Sequence, residues 1–246
     1  MIQTTTRIFR SFKLRCFLAS GVCLTVILAG CKETKQPTTN TSYKTSFTIN
    51  ESPISEGGKW INGKAEGLDW SDVAVSSGLA HGTESGTSGY DDSTALLSGT
   101  WGSDQWAEAT VHSVNQTDDV YEEVELRLRS TLSAHEAKGY EINFRCSKTD
   151  KAYAQIVRWN GGLGKFTYLN AKEGANYGVT NGDVVKASIV GEVITAYING
   201  VEVLRATDST YTNGSPGIGF FLQGSGVSNN DFGFTSFTAS DTSSSK

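Results

Sequence analysis

The chain has 246 residues, 21 basic and 26 acidic, a formal net charge of −5, and 37% hydrophobic residues. That length suffices for one or two domains with a sizeable core. The acidic balance argues against a nucleic-acid partner, whose phosphates call for a basic surface.

Residues 1–30 read as an export signal. Arg7, Arg10, Lys13 and Arg15 make a basic start without an acidic residue, and an apolar stretch runs from Cys16 to Ala29. The stretch is shorter than the roughly 20 residues of a membrane-spanning helix. It closes on Leu28-Ala29-Gly30-Cys31, which resembles the lipobox of bacterial lipoproteins. The resemblance implies cleavage before Cys31, a diacylglyceryl group on its sulfur and a mature chain starting there. An ordinary secretory signal or an uncleaved anchor is the alternative. On the lipoprotein reading the chain is lipid-anchored in the bacterial cell envelope, at the outer membrane or cell surface in a Gram-negative lineage. The mature part keeps 17 basic and 26 acidic residues, a net −9, so anionic lipid does not attract it. Membrane contact then rests on acyl chains, at about 0.8 kcal/mol per buried methylene. Cys16 and Cys23 leave with the signal and Cys31 is acylated. Cys146 then stands alone, with no internal disulfide open to it.

Residues 31–44 are polar, carry no apolar period and read as a lipidated flexible tether. Its 13 residues after the cysteine span up to about 45 Å when extended. The region 45–240 has no internal linker and reads as one domain, and 241–246 as a frayed tail. Alternation is clearest over 120–129. There Val120, Glu122, Val124, Leu126 and Leu128 share one face, and Tyr121, Glu123, Glu125, Arg127 and Arg129 the other. Over 140–146, Tyr140, Ile142, Phe144 and Cys146 oppose Glu141, Asn143 and Arg145, which makes Cys146 a buried structural thiol. Further strands fit 106–112, 153–159, 183–190, 192–198, 201–205, 217–223 and 231–239. Asn-Gly at 62–63, 160–161, 181–182, 199–200 and 213–214 suits hairpin turns. The fold class is all-β: an antiparallel two-sheet jelly-roll sandwich whose strands have one wet and one dry face.

The segments DVVKASIVGEVITAYINGVEVLRATD, GSPGIGFFLQG and DFGFTSFTAS stand behind WGSDQWAEATV, GYEINFRC and AQIVRWNGG. Together they resemble the concanavalin A-like lectin/glucanase jelly roll in its laminin-G-like bacterial form. The resemblance covers about 55–240 and implies a fold that hosts lectins, glycosidases, lyases and inert spacers. It also implies a structural Ca2+ at a loop rim, for which Asp91, Asp92 and Asp231 are the oxygen-rich candidates; no other cofactor is required.

A retaining glucanase on this fold carries Glu-x-Asp-x-x-Glu on one strand, with two carboxylates about 5 Å apart. The nearest stretch, Glu122-Glu123-Val124-Glu125, lacks the Asp and the wider spacing. Glu123 and Glu125 with Arg127 and Arg129 read instead as an ion-pair ladder. Glu125-Leu126-Arg127 and Gln155-Ile156-Val157 resemble two strands of alginate lyases, but Val157 stands where that family has a proton-transferring His. His81, His112 and His135 lack metal-pair spacing and read as solvated or capping residues.

Binding fits the residues better than catalysis. Glu123, Glu125, Arg127, Glu141, Asn143, Arg145 and Gln155 offer carboxylates, amides and guanidinium forks to sugar hydroxyls. Trp101, Trp106, Trp159 and Tyr168 offer stacking faces, and Trp159 is the best placed because it ends a strand beside a turn. It shares a strand face with Gln155, whereas Arg158 points away. The expected function is a membrane-anchored lipoprotein displaying a non-catalytic, polysaccharide- or glycoconjugate-binding domain. The alternatives are a polysaccharide hydrolase or lyase with a non-standard site, and a structural or adhesion module that binds protein. Cys31→Ala should abolish acylation and leave unprocessed precursor, read by fatty-acid labelling and detergent partition; normal processing of this variant would refute the lipobox.

Overall fold

The computed structural model describes residues 41–87 and 89–241. The segment expected to be an export signal, Cys31 and the expected tether up to residue 40 therefore lie outside the described residues. Fifteen strands follow in chain order: β1 (Ser42–Thr45), β2 (Trp60–Asn62), β3 (Ala74–Ser76), β4 (Leu79–His81) and β5 (Ser93–Leu97). Next come β6 (Gln105–Ser113), β7 (Tyr121–Ser133), β8 (Glu136–Arg145), β9 (Tyr153–Gly161) and β10 (Phe166–Glu173). The last are β11 (Val184–Val190), β12 (Val193–Ile198), β13 (Val201–Thr207), β14 (Ser215–Gln223) and β15 (Phe232–Ser240). All pairings are antiparallel and make two sheets. One runs β13-β12-β11-β6-β15-β4-β3, with β1 added along β15; the other runs β10-β9-β8-β7-β14-β5-β2. Among the described residues no helix is long and apolar enough to cross a membrane.

Period-two alternation builds the interior. Val124, Leu126 and Leu128 of β7, Ile142 and Phe144 of β8, and Phe220 of β14 meet Ala107, Ala109, Val185, Ile194, Phe234 and Phe237 of the opposite sheet. Cys146 is buried among them, as its parity predicts, and burial holds its thiol above the ordinary range. The sheet containing β6 and β11 has the expected alternation of buried and half-exposed positions. The other sheet does not: β7, β8 and β14 are buried on both faces over most of their length. The expected wet face of β7 and β8 is therefore an enclosed one.

Several boundaries differ from expectation. Residues 42–44, placed by sequence in the tether, belong to β1, which extends the sheet along β15 with Ser42 opposite Ser240. Asp241, assigned to a frayed tail, accepts from the Thr41 and Gly102 amides at 2.6 and 2.9 Å. Of the five Asn-Gly pairs, Asn199-Gly200 is the two-residue hairpin turn, between β12 and β13, with φ of 51° and 78°. Asn62-Gly63 instead leads into a short 3-10 turn, and Asn160-Gly161 ends β9.

Arg129 corrects the alternation of β7. The register shifts between Leu128 and Thr131, and Arg129 adopts φ of 46°, so its side chain leaves the face of Arg127. Its guanidinium donates instead to the Ser103, Tyr211 and Gly191 carbonyls at 2.6, 3.0 and 2.8 Å, tying three loops to the bulge. Arg129→Met leaves these carbonyls without their donor and should lower stability by about 2–4 kcal/mol in denaturant unfolding; an unchanged midpoint would refute this role.

Candidate functional site

The enclosed face centres on β7 and β8. Register sets Glu123 opposite Arg145, Glu125 opposite Asn143 and Arg127 opposite Glu141. Tyr153, Gln155, Val157 and Trp159 follow on β9, and Phe221 on β14. Asp92 arrives from the residue before β5. These side chains surround a cavity of about 200 Å³, whose lining also includes Tyr90, Tyr121, Phe166 and Tyr168. The loop after β2 closes one end: its Leu68 and Trp70 form a small apolar cluster with Ala137, Val157 and Trp159. The aromatic wall is continuous. Trp70 lies 4.6 Å from Trp159 by ring centroids, Trp159 5.1 Å from Phe166, and Phe166 5.1 and 5.2 Å from Tyr90 and Tyr168.

Next to the cavity lining, on the same face of β7 as Glu123 and Glu125, Arg127 holds three carboxylates. Its Nη2 lies 2.5 Å from Glu125, 3.0 Å from Glu141 and 3.3 Å from Asp92. Gly219 of β14 makes the arrangement sterically feasible. A Cβ there would stand 2.2 Å from Glu125 Oε2 and 3.0 Å from the Arg127 guanidinium. Glu141 accepts on both oxygens, from Asn143 Nδ2 at 2.9 Å and from Trp159 Nε1 at 2.5 Å. Tyr153 donates a short hydrogen bond to Glu123. Asn143 Oδ1 is buried in the cavity lining and has no partner among the described residues.

Burial raises the carboxyls. It pushes Glu123 up to about 8, with repulsion from Glu141 added and the Tyr153 bond opposing. Asp92 and Glu125 are raised by burial and by Glu141, with Arg127 opposing. Burial also works against the charge on Arg127, but Glu125, Glu141 and Asp92 overrule it and hold the guanidinium above its usual range. The expected ion-pair ladder is present in part, at Arg127, and it is buried rather than wet.

Of the sequence-derived ligand set, Glu123, Glu125, Glu141, Asn143, Gln155 and Trp159 line the cavity together. Arg127 shares their strand face but is not in the lining. Arg145 lies beside it, its guanidinium bonded to the Lys151, Asp118 and Val120 carbonyls and packed 4.4 Å from the Tyr121 ring. Trp159 is buried within the wall rather than standing at an open rim. Arg158 points away to Asp208, as its parity requires. Tyr168 joins the wall, whereas Trp101 donates to the Ser98 carbonyl at 3.2 Å and Trp106 packs beneath Lys186. Sequence reasoning passed over Tyr153, Phe166 and Phe221. The first and last were legible by parity: Tyr153 lies two residues from Gln155 on one strand, and Phe221 two from Gly219.

Among the described residues Asp92, Glu125 and Glu141 are the one group of three acidic or other ligating side chains spaced to share an ion, within 4.8 Å. Arg127 Nη2 already occupies the point between them, so an ion would have to displace it. Asp231, grouped with Asp92 as a calcium candidate, caps a short turn through Ser228 and is no member of that trio. His81 is buried and contacts Ser76 and the Gly82 carbonyl, not solvent; His135 is exposed and pairs with Asp69 at 2.9 Å. Val157 sits in the cavity wall, where its isopropyl group transfers no proton.

The chain matches no protein-family model and no curated protein. Among solved structures it is similar to the carbohydrate-binding module CBM66 from Bacillus subtilis, with TM-score 0.50 and 19% identity over 69% of this chain and 95% of that one. It is also similar to the carbohydrate recognition domain of Emp46p in its potassium-bound form, with TM-score 0.52 and 11% identity over 80% and 94%. The chain has the concanavalin A-like jelly-roll fold.

The titrations set a direction for stability. Glu122 faces the interior, where burial and then Asp231 raise its carboxyl to about 7; burial likewise raises Glu84 to about 7. With Glu123, Asp92 and Glu125 these groups keep protons in the folded chain that the unfolded chain releases near pH 4.5. Between about pH 4.5 and 8 the folded state binds more protons, so stability falls as pH rises. Carboxyls held low, such as Asp183 and Asp208, act below about pH 4, outside this window. The thermal midpoint should be higher near pH 5 than near pH 8, and Glu122→Gln should flatten the slope; a midpoint that rises across the window would refute this.

Proposed function

We propose that this chain is a membrane-anchored lipoprotein whose concanavalin A-like domain binds a glycan in the concave cavity without cleaving it. The supporting observation is the cavity itself: an aromatic wall beside a polar floor, with the buried Asn143 carbonyl left for a ligand to satisfy. Aromatic faces take up the C–H surface of a pyranose, and the floor takes its hydroxyls. About 200 Å³ falls below the usual ~300–1,000 Å³ of ligand pockets and suits one ring or chain end. The similar structures include a carbohydrate-binding module and a carbohydrate recognition domain, which makes glycans the class to test first. Fold alone does not carry the assignment. Anchoring at Cys31 and placement in the bacterial cell envelope rest on the lipobox-like sequence.

Two features weigh against catalysis. In the cavity the raised carboxyls of Asp92 and Glu125 are bound to Arg127 and that of Glu123 to Tyr153, and Val157 fills the position that lyases give to a proton-transferring group. Tyr168 is 54% exposed, so its loss should spare the fold. Tyr168→Ala should weaken glycan binding about tenfold, measured by titration of array-identified ligands, with an unchanged thermal midpoint. No binding across a broad glycan array would refute the reading, and release of reducing ends or unsaturated products would make the protein an enzyme.

A further inference from the structure

The polar atoms turned toward the cavity are mostly oxygens. Glu123, Glu125, Glu141 and Asp92 all line it. Asn143 lines the cavity with its Nδ2 donated to Glu141, which fixes the orientation of the amide and leaves its buried Oδ1 without a partner among the described residues. Asn143 is 4% exposed, so the unpartnered oxygen is costly unless a donor meets it.

The positive groups do not balance this within the cavity. Five carboxyls line it, those of Asp92, Glu123, Glu125, Glu141 and the exposed Glu173, and no lysine, arginine or histidine does. Arg127 is outside the lining and contacts three of the five. Arg145 is outside the lining and donates through Nη1 and Nη2 to backbone carbonyls. An anionic sugar, such as a uronate or a sulfated ring, would place a further desolvated negative charge in a site where burial already works against ionisation, with no cation in the lining to meet it. The remaining wall is aromatic, with Trp159, Phe166, Tyr168, Tyr90 and Tyr121 around the carboxyls. Ring faces beside buried carboxyls favour a cation, since the face of each ring carries partial negative charge. The acceptor-rich floor asks for a donor, and an ammonium supplies three.

We propose that the sugar bound in this cavity carries a free amine, so that the ligand class is a de-N-acetylated amino-sugar glycan. This rests on the glycan-binding reading and narrows it. The ammonium meets the oxygens of Asn143, Glu123 and Glu125, while the ring lies against the aromatic wall. An N-acetyl group would remove the charge and two of the three donors and add bulk to a cavity of about 200 Å³. Burial and repulsion from Glu141 hold Glu123 and Glu125 above their usual range, and a cation beside them relieves that repulsion while giving the Asn143 oxygen a donor.

The test is titration calorimetry of the full-length, detergent-solubilised protein at fixed ionic strength. The probes are glucosamine and galactosamine oligomers, their fully N-acetylated counterparts, neutral glucans and galactans, and oligouronates. The expected result is binding of a free-amine oligomer at least about tenfold tighter than its N-acetylated partner, with no uronate binding. Glu123→Gln should shrink that ratio severalfold, with circular dichroism showing an intact fold. If a neutral, N-acetylated or uronate oligomer binds as tightly as the free-amine form or tighter, the amine inference fails and glycan binding stands. If no oligomer binds and a broad array is also silent, both fall.

Discussion

One guanidinium holds the functional face in place. Arg127 reaches Glu125 on its own strand, Glu141 on the next strand and Asp92 at the start of β5, so that one side chain ties together three parts of the sheet. Removing water from such charges costs several kcal/mol per ion, and attraction returns it only with good geometry. The geometry here depends on a missing atom, the Cβ of Gly219, whose place Glu125 and Arg127 approach. An apolar face of similar volume would serve stability as well or better. The charged cluster is therefore a feature of the site rather than of the fold.

The two sheets divide the work. The sheet containing β6 and β11 has an ordinary half-exposed outer face, with Glu108, Thr110, Lys186 and Ser188 alternating against buried apolar neighbours. The sheet containing β7 and β8 hides both faces: one against the core, the other under the Leu68–Trp70 cluster and the aromatic wall. Enclosure turns a row of common surface residues into a low-dielectric site. There an unmade hydrogen bond is costly, and a ligand that makes it is correspondingly favoured.

Much of this was legible in the sequence, because strand parity is a strong constraint. Alternation over 120–129 and 140–146 put Glu123, Glu125, Glu141 and Asn143 on one face, and Gln155 with Trp159 on the next strand joined them. Alternation tells which residues share a face, not whether water reaches it; burial of that face came from Trp70 and the loop after β2, far away in sequence. The short strands β2, β3 and β4 carry too few residues for a period, and β5 is buried on both faces, so alternation is lost. Arg129 was misplaced because a bulge changes parity without marking itself in composition. Asp92 was seen as a carboxylate but assigned to a loop rim, because only the pairing of β5 with β14 brings it beside Glu125.

The aromatic wall and the polar floor hang on different parts of the sheet. The floor belongs to β7 and β8, each paired on both sides. Phe166 and Tyr168 belong to β10, which is paired only with β9 and is tied across to the other sheet by the Asn170 amide donating to the Arg205 carbonyl at 2.8 Å. A strand bonded along one edge frays at lower free energy than an interior one. The aromatic wall therefore stands on the less securely paired part of the sheet and the polar floor on the more securely paired part.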